Sequence, residues 1–335
     1  MAKITFLAED NCIASSIVGT SDALAIANLW WLYMKSGTGE PLFETEIISI
    51  DGKPVTAQGG IVLTPSRAMH DVEKTDLILL PTFFPPFDMD NPRLKIICEW
   101  TKHNHNNGNK IACNCTGTFL LAATGLLDER IATTNWHFAE IFKRQYPKVN
   151  LKIDRLLTED NGLYCTGAAT AFMNLCLYLI AKYGSPDLAS RCAKGLLVDT
   201  DRQSQAPYIV YEFWKNHSDS QILKAQHWMG KNYEKKFSID TVAESIGISP
   251  RHFKRRFKNA TGETPIAYLQ RLRIENAKWL LERTRESINE ITWKVGYDDI
   301  NSFRRLFLRH TGLSPKGYRN KFSSIYPDTQ GAREK

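Results

Sequence analysis

The feature that most limits what this chain can fold into is a pattern written twice in its last third. Ser238 to Leu269 reads SIDTVAESIGISPRHFKRRFKNATGETPIAYL, and Ser287 to Arg319 reads SINEITWKVGYDDINSFRRLFLRHTGLSPKGYR. Ser238 and Gly247 match Ser287 and Gly296 at an offset of 49 residues. After one extra residue the offset is 50, and Phe253, Arg255, Phe257, Gly262 and Pro265 match Phe303, Arg305, Phe307, Gly312 and Pro315. Such self-similarity marks one supersecondary unit used twice.

Each copy reads as helix, tight turn, helix. Ser238 suits the cap of a first helix with apolar positions Ile239, Val242, Ala243 and Ile246, and Gly247 ends it by accepting a positive φ. Pro250 suits the first turn of a second helix, and Phe253 and Phe257 lie on one face, four residues apart. That leaves Arg251, Lys254, Arg255 and Lys258 outward; the second copy offers Asn301, Arg304 and Arg305, with Arg309 as a further candidate. A short helix with a buried aromatic stripe and a basic outer face has what a major-groove reader requires. Arg can bridge guanine O6 and N7, Asn can pair with adenine, and Lys neutralises phosphate. Between the copies, Pro265 to Thr284 keeps helical spacing through Ile266, Leu269, Leu272, Ala277, Leu280 and Leu281. A long helix holding two readers about one DNA turn apart is expected. The rival reading is a helical docking module with a basic surface.

Charge placement agrees with double-stranded DNA as a partner. From Gln221 to Lys335 there are 23 Lys and Arg against 12 Asp and Glu, while the remainder has 20 against 24. A basic last third thus follows a mildly acidic first part. Overall, 43% apolar and 24% charged residues describe a globular chain whose 335 residues exceed one usual core, so two domains are expected. No stretch approaches the ~20 apolar residues of a membrane span, so no membrane partner is expected. The start, MAKITFLAED, reads as a strand rather than a signal peptide. Seven cysteines without a CxxC pair fit reduced thiols and a cytoplasmic location.

The first two-thirds alternate strand-like and helix-like runs: KITFLA, SDALAIANLWWLYM, FETEIISI, TDLILLP, NPRLKIICEWTKHN, KIACN, TGTFLLAATGLL, IATT, NWHFAEIFKRQY. Later come LYCTG, an apolar helix ended by Gly184, and a final helix capped near Ser185 or Asp187. The fold class expected is α/β: a flavodoxin-like, mostly parallel sheet followed by an all-α tandem helix-turn-helix domain. The domains are read as 1–198, a connector at 199–219, 220–323 and a tail at 324–335. In the connector, Tyr208, Tyr211, Phe213 and Trp214 can pack on either domain. Ligands of such sheets bind at the carboxyl ends of the strands, where the turn at Cys115 falls.

Over its full length the tandem domain resembles the AraC/XylS family of transcription factors. The match is carried by TVAESIGISPRHFKRRFKNATGETPIAYL, RLRIENAKWLLE and ITWKVGYDDINSFRRLFLRHTGLSPKGYR, with Ile-Thr where the family has Ile-Ala. The resemblance implies Arg251, Lys254, Arg255, Asn301, Arg304 and Arg305 as base readers. The first part resembles the class I glutamine-amidotransferase-like (ThiJ/PfpI-like) domain through ACNCTGTFLLAATGLLDERIATTNW and GLYCTGAATAFMNLCLYLIAKYG. The two in this order are similar to GlxA-type regulators.

Whether Cys115 does chemistry is the remaining question. A catalytic thiol needs a stabilised thiolate, a base and oxyanion donors. The resemblance implies a His about twenty residues on, in a segment like ATTHW; here ATTNW puts Asn135 there, which takes no proton at neutral pH. His137 is nearby but expected to face away. The resemblance also implies an acidic residue in the first loop; here Ser16 falls there, with Asp22 further along and Glu9 and Asp10 as alternatives. The expectation is therefore a binding pocket built from Cys115, Thr116, Asn135, Trp136, Ser16 and Phe83, with no catalytic residue, metal or cofactor. HNHNNG, His103 to Gly108, reads as a polar loop, and the cysteines other than Cys115 as core. The effector implied is a small metabolite, amino-acid-like or a quaternary amine, with Trp136 or Phe83 facing a cation. A homodimer is expected. The alternative is a thiol-dependent amidase or glyoxalase-like enzyme using Cys115 while tethered to DNA.

Overall fold

In a computed structural model, residues 1–85, 88, 90–211, 213 and 217–323 are described. The chain divides into two compact units, Met1–Gln205 and Ala206–Lys335. The first opens with β1 (Ala2–Leu7), α1 (Ala14–Met34) and β2 (Phe43–Ser49), then a ribbon of β3 (Val55–Thr56) and β4 (Val62–Leu63). Next come β5 (Arg67–Ala68), β6 (Leu77–Leu80), α2 (Pro92–Asn106), β7 (Lys110–Asn114) and α3 (Gly117–Ala123). It closes with β8 (Ile131–Ala132), α4 (Ala139–Gln145), β9 (Asn150–Leu151), β10 (Leu157–Asp160), β11 (Leu163–Thr166), α5 (Phe172–Tyr183) and α6 (Pro186–Gly195).

Seven strands form one sheet in the order β10-β11-β7-β6-β1-β2-β5. Every neighbouring pair is parallel except the β10–β11 hairpin. A parallel sheet needs cover on both faces, which explains strands of unbroken apolar sequence. In β6 the alternation is literal: Leu77 and Leu79 join the core under α1, α5 and α6, while Ile78 and Leu80 join the core under α2, α3 and α4.

Two elements depart from expectation. IATT contributes a two-residue strand that pairs with β9 outside the main sheet. The helix read from Asn135 begins as a 3-10 turn at Trp136–Phe138 and becomes α-helical only at Ala139. The cause is Asn135, whose side-chain oxygen accepts from the His137 amide at 3.0 Å and caps the tight turn.

The second unit is helical: α7 (Ser220–Asn232), α8 (Ile239–Ser245), α9 (Pro250–Thr261), α10 (Pro265–Arg283), α11 (Ile288–Lys294), α12 (Ile300–Thr311) and α13 (Pro315–Phe322). The duplication is visible in the local chemistry. Ser238 and Ser287 cap α8 and α11, the latter as a full capping box with Glu290. Gly262 and Gly312 close α9 and α12 in the left-handed conformation.

Residues of the expected connector fall in both units. Gln205 is buried in the first, its side-chain nitrogen donating to the Thr133 hydroxyl at 3.0 Å and to the Thr134 carbonyl at 2.9 Å. From Ala206 onward the aromatics pack within the second unit: Tyr208 on Phe322, Tyr211 under Arg271 and Phe213 on Tyr268. Trp214 and the expected tail at 324–335 lie outside the described residues.

The turn glycines are equivalent in sequence and unequal in surroundings. A methyl at Gly247 (φ +73°) would meet open space, whereas at Gly296 (φ +88°) it would sit 2.7 Å from the Tyr233 carbonyl oxygen. Gly247→Ala is expected to cost about 1–2 kcal/mol from backbone conformation alone. Gly296→Ala should cost clearly more, and urea unfolding of the two full-length variants reads the difference.

Candidate ligand cavity and DNA-reading helices

Strand β7 ends at Asn114, and Cys115 turns the chain with φ of +52°, a conformation that L residues rarely adopt. Hydrogen bonds hold it there. The Cys115 amide donates to the Thr166 carbonyl at 2.8 Å, and its carbonyl accepts from the hydroxyls of Thr134 at 2.8 Å and Thr118 at 3.1 Å. Gly117 opens α3 because a methyl there would lie 2.9 Å from the Pro81 carbonyl oxygen. The strained turn is thus over-determined by its surroundings.

Cys115 is 5% exposed. Burial pushes its pKa up, against smaller lowering effects from the Asn135 amide, which donates to Sγ at 3.4 Å, and from Thr116. These are neutral donors, and neither removes a proton at neutral pH. His137 is exposed, its ring edge-on to Trp136 and Phe138. A protonated thiol without a base in contact is a poor nucleophile.

Beside this turn is a cavity of about 360 Å³. Its walls come from the ends of three adjacent strands: Glu9, Asp10 and Asn11 after β1, Phe83 and Phe84 after β6, and Thr116 with Phe119 after β7. Because β1 has β2 on one side and β6 on the other, this is where the order of winding reverses, the place where open parallel sheets bind ligands. A bidentate ion pair crosses the wall: Arg93 Nε to Glu9 Oε1 at 2.6 Å and Nη2 to Oε2 at 3.0 Å. Glu9 is 4% exposed, and it holds the Arg93 guanidinium still more firmly charged than usual. Arg93 is placed by Asn91, whose side chain caps α2 by accepting from the Arg93 amide.

Of the six residues expected to bind ligand, Thr116 and Phe83 line this cavity. Cys115, Asn135, Trp136 and Ser16 are not part of its wall. Their contacts are local. Ser16 Oγ donates to the Ile13 carbonyl within the first turn of α1, and the Asn135 amide is committed to its own turn and to the thiol. Trp136 is half-buried. Sequence reasoning missed Arg93 altogether, because its partner Glu9 is 84 residues away. The available signal was an arginine just past an Asn-Pro helix start, facing a sheet end that carries acids.

In the second unit the seven basic or amide side chains expected on the reading helices, Arg251, Lys254, Arg255, Lys258, Asn301, Arg304 and Arg305, are all exposed. Beneath them Phe253, Phe257, Phe303 and Phe307 are fully buried. Arg256 falls on the inner side of α9 and is locked to Asp219 at 2.6 and 2.9 Å, which ties α9 to α7. Lys254 makes an exposed pair with Asp240 at 3.1 Å, and Arg305 donates to Ser302 at 3.2 Å. Such bonds are weak enough to be exchanged for a polyanion. Of the polar residues expected as a loop, His103 to Asn106 end α2, and Asn107 and Gly108 form the turn that follows it. No helix is long and apolar enough to cross a membrane among the described residues.

Comparison with known proteins matches residues 31–182 to the DJ-1/PfpI family and residues 242–321 to a helix-turn-helix domain family. The chain is similar to the HTH-type transcriptional regulator CdhR of Pseudomonas aeruginosa, 27% identical over 82% of this chain and 81% of that one. It is also similar to the HTH-type transcriptional regulator GlxA of Rhizobium meliloti, 25% identical over 92% and 94%. Among solved structures, a Vibrio parahaemolyticus protein aligns with a TM-score of 0.51 at 20% identity, over 58% of this chain and 98% of its own, a likeness of fold.

Alkylation tests the state of the thiol. Cys115 is expected to react slowly with iodoacetamide at pH 7, with a rate that climbs only above the ordinary thiol range of about 8.5. Asn135→Ala, by removing a bond that favours the thiolate, should move that rise to higher pH. Fast labelling of Cys115 at neutral pH, read by peptide mass spectrometry, would contradict the assignment.

Proposed function

Starting from a transcriptional regulator that joins a DJ-1/PfpI-family domain to an AraC-type helix-turn-helix domain, we propose that its first unit binds a small zwitterionic or cationic metabolite beside the Glu9–Arg93 pair. Binding there adjusts how the second unit engages DNA. The observation that carries the DNA reading is the pairing of exposure with burial at equivalent repeat positions: Arg255 and Arg305 outward, Phe253 and Phe303 fully inside. The cavity chemistry supports the ligand class. With its Nε–Nη2 edge held by Glu9, Arg93 offers its Nη1 edge to a carboxylate, Asp10 and Asp88 offer charge to an ammonium, and Phe83 and Phe84 offer aromatic surface. Coupling requires that the metabolite bind two arrangements of the protein with different affinity.

On this reading the chain is not an enzyme, and Cys115 serves the architecture of the turn. It works in the cytoplasm, and as a homodimer it would present two pairs of readers. The rival is a thiol-dependent enzyme, against which the burial of the thiol, which raises its pKa, weighs. Cys115→Ser separates them: unchanged regulation supports the sensor, and loss of a turnover measured in the wild type supports the enzyme.

Arg255→Ala and Arg305→Ala are each expected to weaken binding of the protein's own upstream DNA by roughly tenfold or more and to relax selectivity at one base. Lys258→Ala should lower affinity for all duplexes and reduce the salt slope by about 1. Arg93→Ala should abolish thermal stabilisation by an amino-acid and quaternary-amine panel, worth about 2.7 kcal/mol at a hundredfold excess over Kd, while leaving DNA affinity intact. Loss of both together would mean that Arg93 is needed for folding.

A further inference from the structure

The second unit has two hydrophobic cores, and they share one helix. The first half of α10, through Tyr268 and Leu269, belongs with α7, α8 and α9. The second half, through Ile274, Ala277 and Leu281, belongs with α11, α12 and α13. Apolar burial is non-directional, so it holds each half together without setting the twist between them. That relation falls to α10, 19 residues or about 28 Å long, to Tyr208 and Phe213 of the preceding segment, which pack on Phe322 and Tyr268, and to the polar contacts that span the middle of the helix.

Arg273 is at that middle. Its Nε donates to the Tyr233 carbonyl at 2.8 Å and its Nη2 to the Lys235 carbonyl at 2.9 Å, both in the loop between α7 and α8. The same guanidinium lies over the Tyr297 ring, 5.1 Å from its centroid, in the turn between α11 and α12. One planar group therefore touches the backbone that frames the first reader and the turn that delivers the second. Gly296 makes room for it: a methyl there would be 2.8 Å from Nη2 and 2.7 Å from the Tyr233 carbonyl oxygen. The repeat partner of Gly296, Gly247, has open space at that point. The glycine of the second turn thus serves a close approach that the first copy does not need. The neighbouring pair of Lys236 with Asp298, at 2.9 Å, spans the same seam but is largely exposed and adds little.

We infer that Arg273 is a positioning residue that fixes the phase between the two reading helices, so that the protein recognises a bipartite DNA site of one length. The inference rests on the DNA-binding reading and adds a rule for spacing. Arginine is required because two divergent donors and a flat face act together, which a lysine ammonium cannot reproduce.

The test uses the full-length protein and a duplex that the wild type selects from a random-sequence pool, with its two contacted boxes mapped by footprinting. Inserting two base pairs between the boxes rotates one by about 70° relative to the other. Wild type is expected to lose roughly a hundredfold or more in affinity. Arg273→Lys, which keeps the charge, should bind the original duplex more weakly yet lose less than about tenfold on insertion. Gly296→Ala, which displaces the guanidinium without deleting it, should flatten the penalty in the same way and covers the case of a lysine variant that does not fold. The inference is overturned if both variants keep the wild-type insertion penalty, or if the wild type shows none. A wild type that selects no duplex would instead remove the DNA-binding reading on which the inference stands.

Discussion

A short helix on a protein surface has one face to hold it, and in α9 and α12 that face is a phenylalanine pair. Phe253 with Phe257 and Phe303 with Phe307 are fully buried, their ring centroids 5.4 and 5.6 Å apart. Burying each ring is worth about 1.5–3 kcal/mol relative to exposure. With a 3.6-residue period, residues two positions along are carried to the opposite side. The presentation of Arg255 and Arg305 to solvent follows from the anchoring of their neighbours. Arg256 shows the boundary of the rule: it faces inward enough to pair with Asp219 and belongs to the scaffold.

The first unit obeys a different constraint. A sheet buried on both faces can place polar chemistry only where its strands end, and the reversal of winding at β1 and β6 opens a crevice there. Two separate structures occupy that end. One is the turn at Cys115, whose unusual φ is held by threonine hydroxyls and by the Thr166 carbonyl at the end of β11. The other is the cavity beside it, whose character comes from the Glu9–Arg93 pair. Thr116 belongs to both, lining the cavity while its hydroxyl donates to the Phe83 carbonyl at 2.5 Å. Burial raises the Cys115 pKa, and the group in contact with its sulfur is the neutral Asn135 amide.

The gap between sequence and structure is widest where partners are far apart in the chain. Helix caps, turn glycines and the phenylalanine stripes are local chemistry, and Ser238, Gly247, Pro250 and Ser287 were legible from a few neighbouring residues. The strand KIACN was legible for the same reason, its bounds agreeing with β7. The helix beginning at Asn135 was misjudged at its start, because an asparagine that caps a 3-10 turn reads much like one that caps an α-helix. Ser16 was offered as a cavity residue from the resemblance, and its hydroxyl donates to the Ile13 carbonyl three residues back.

What the sequence by itself determined is the duplication and its consequences: two helix pairs, their basic outer faces, the rod between them and the α/β alternation ahead. Those are properties of periods and of near neighbours, which a linear reading preserves. The tertiary structure alone decided that Arg93 meets Glu9, that Thr116 lines the cavity, and that Arg273 reaches two loops on either side of α10. Each joins residues tens of positions apart, and such pairings arise only when the packing of whole elements brings their ends together.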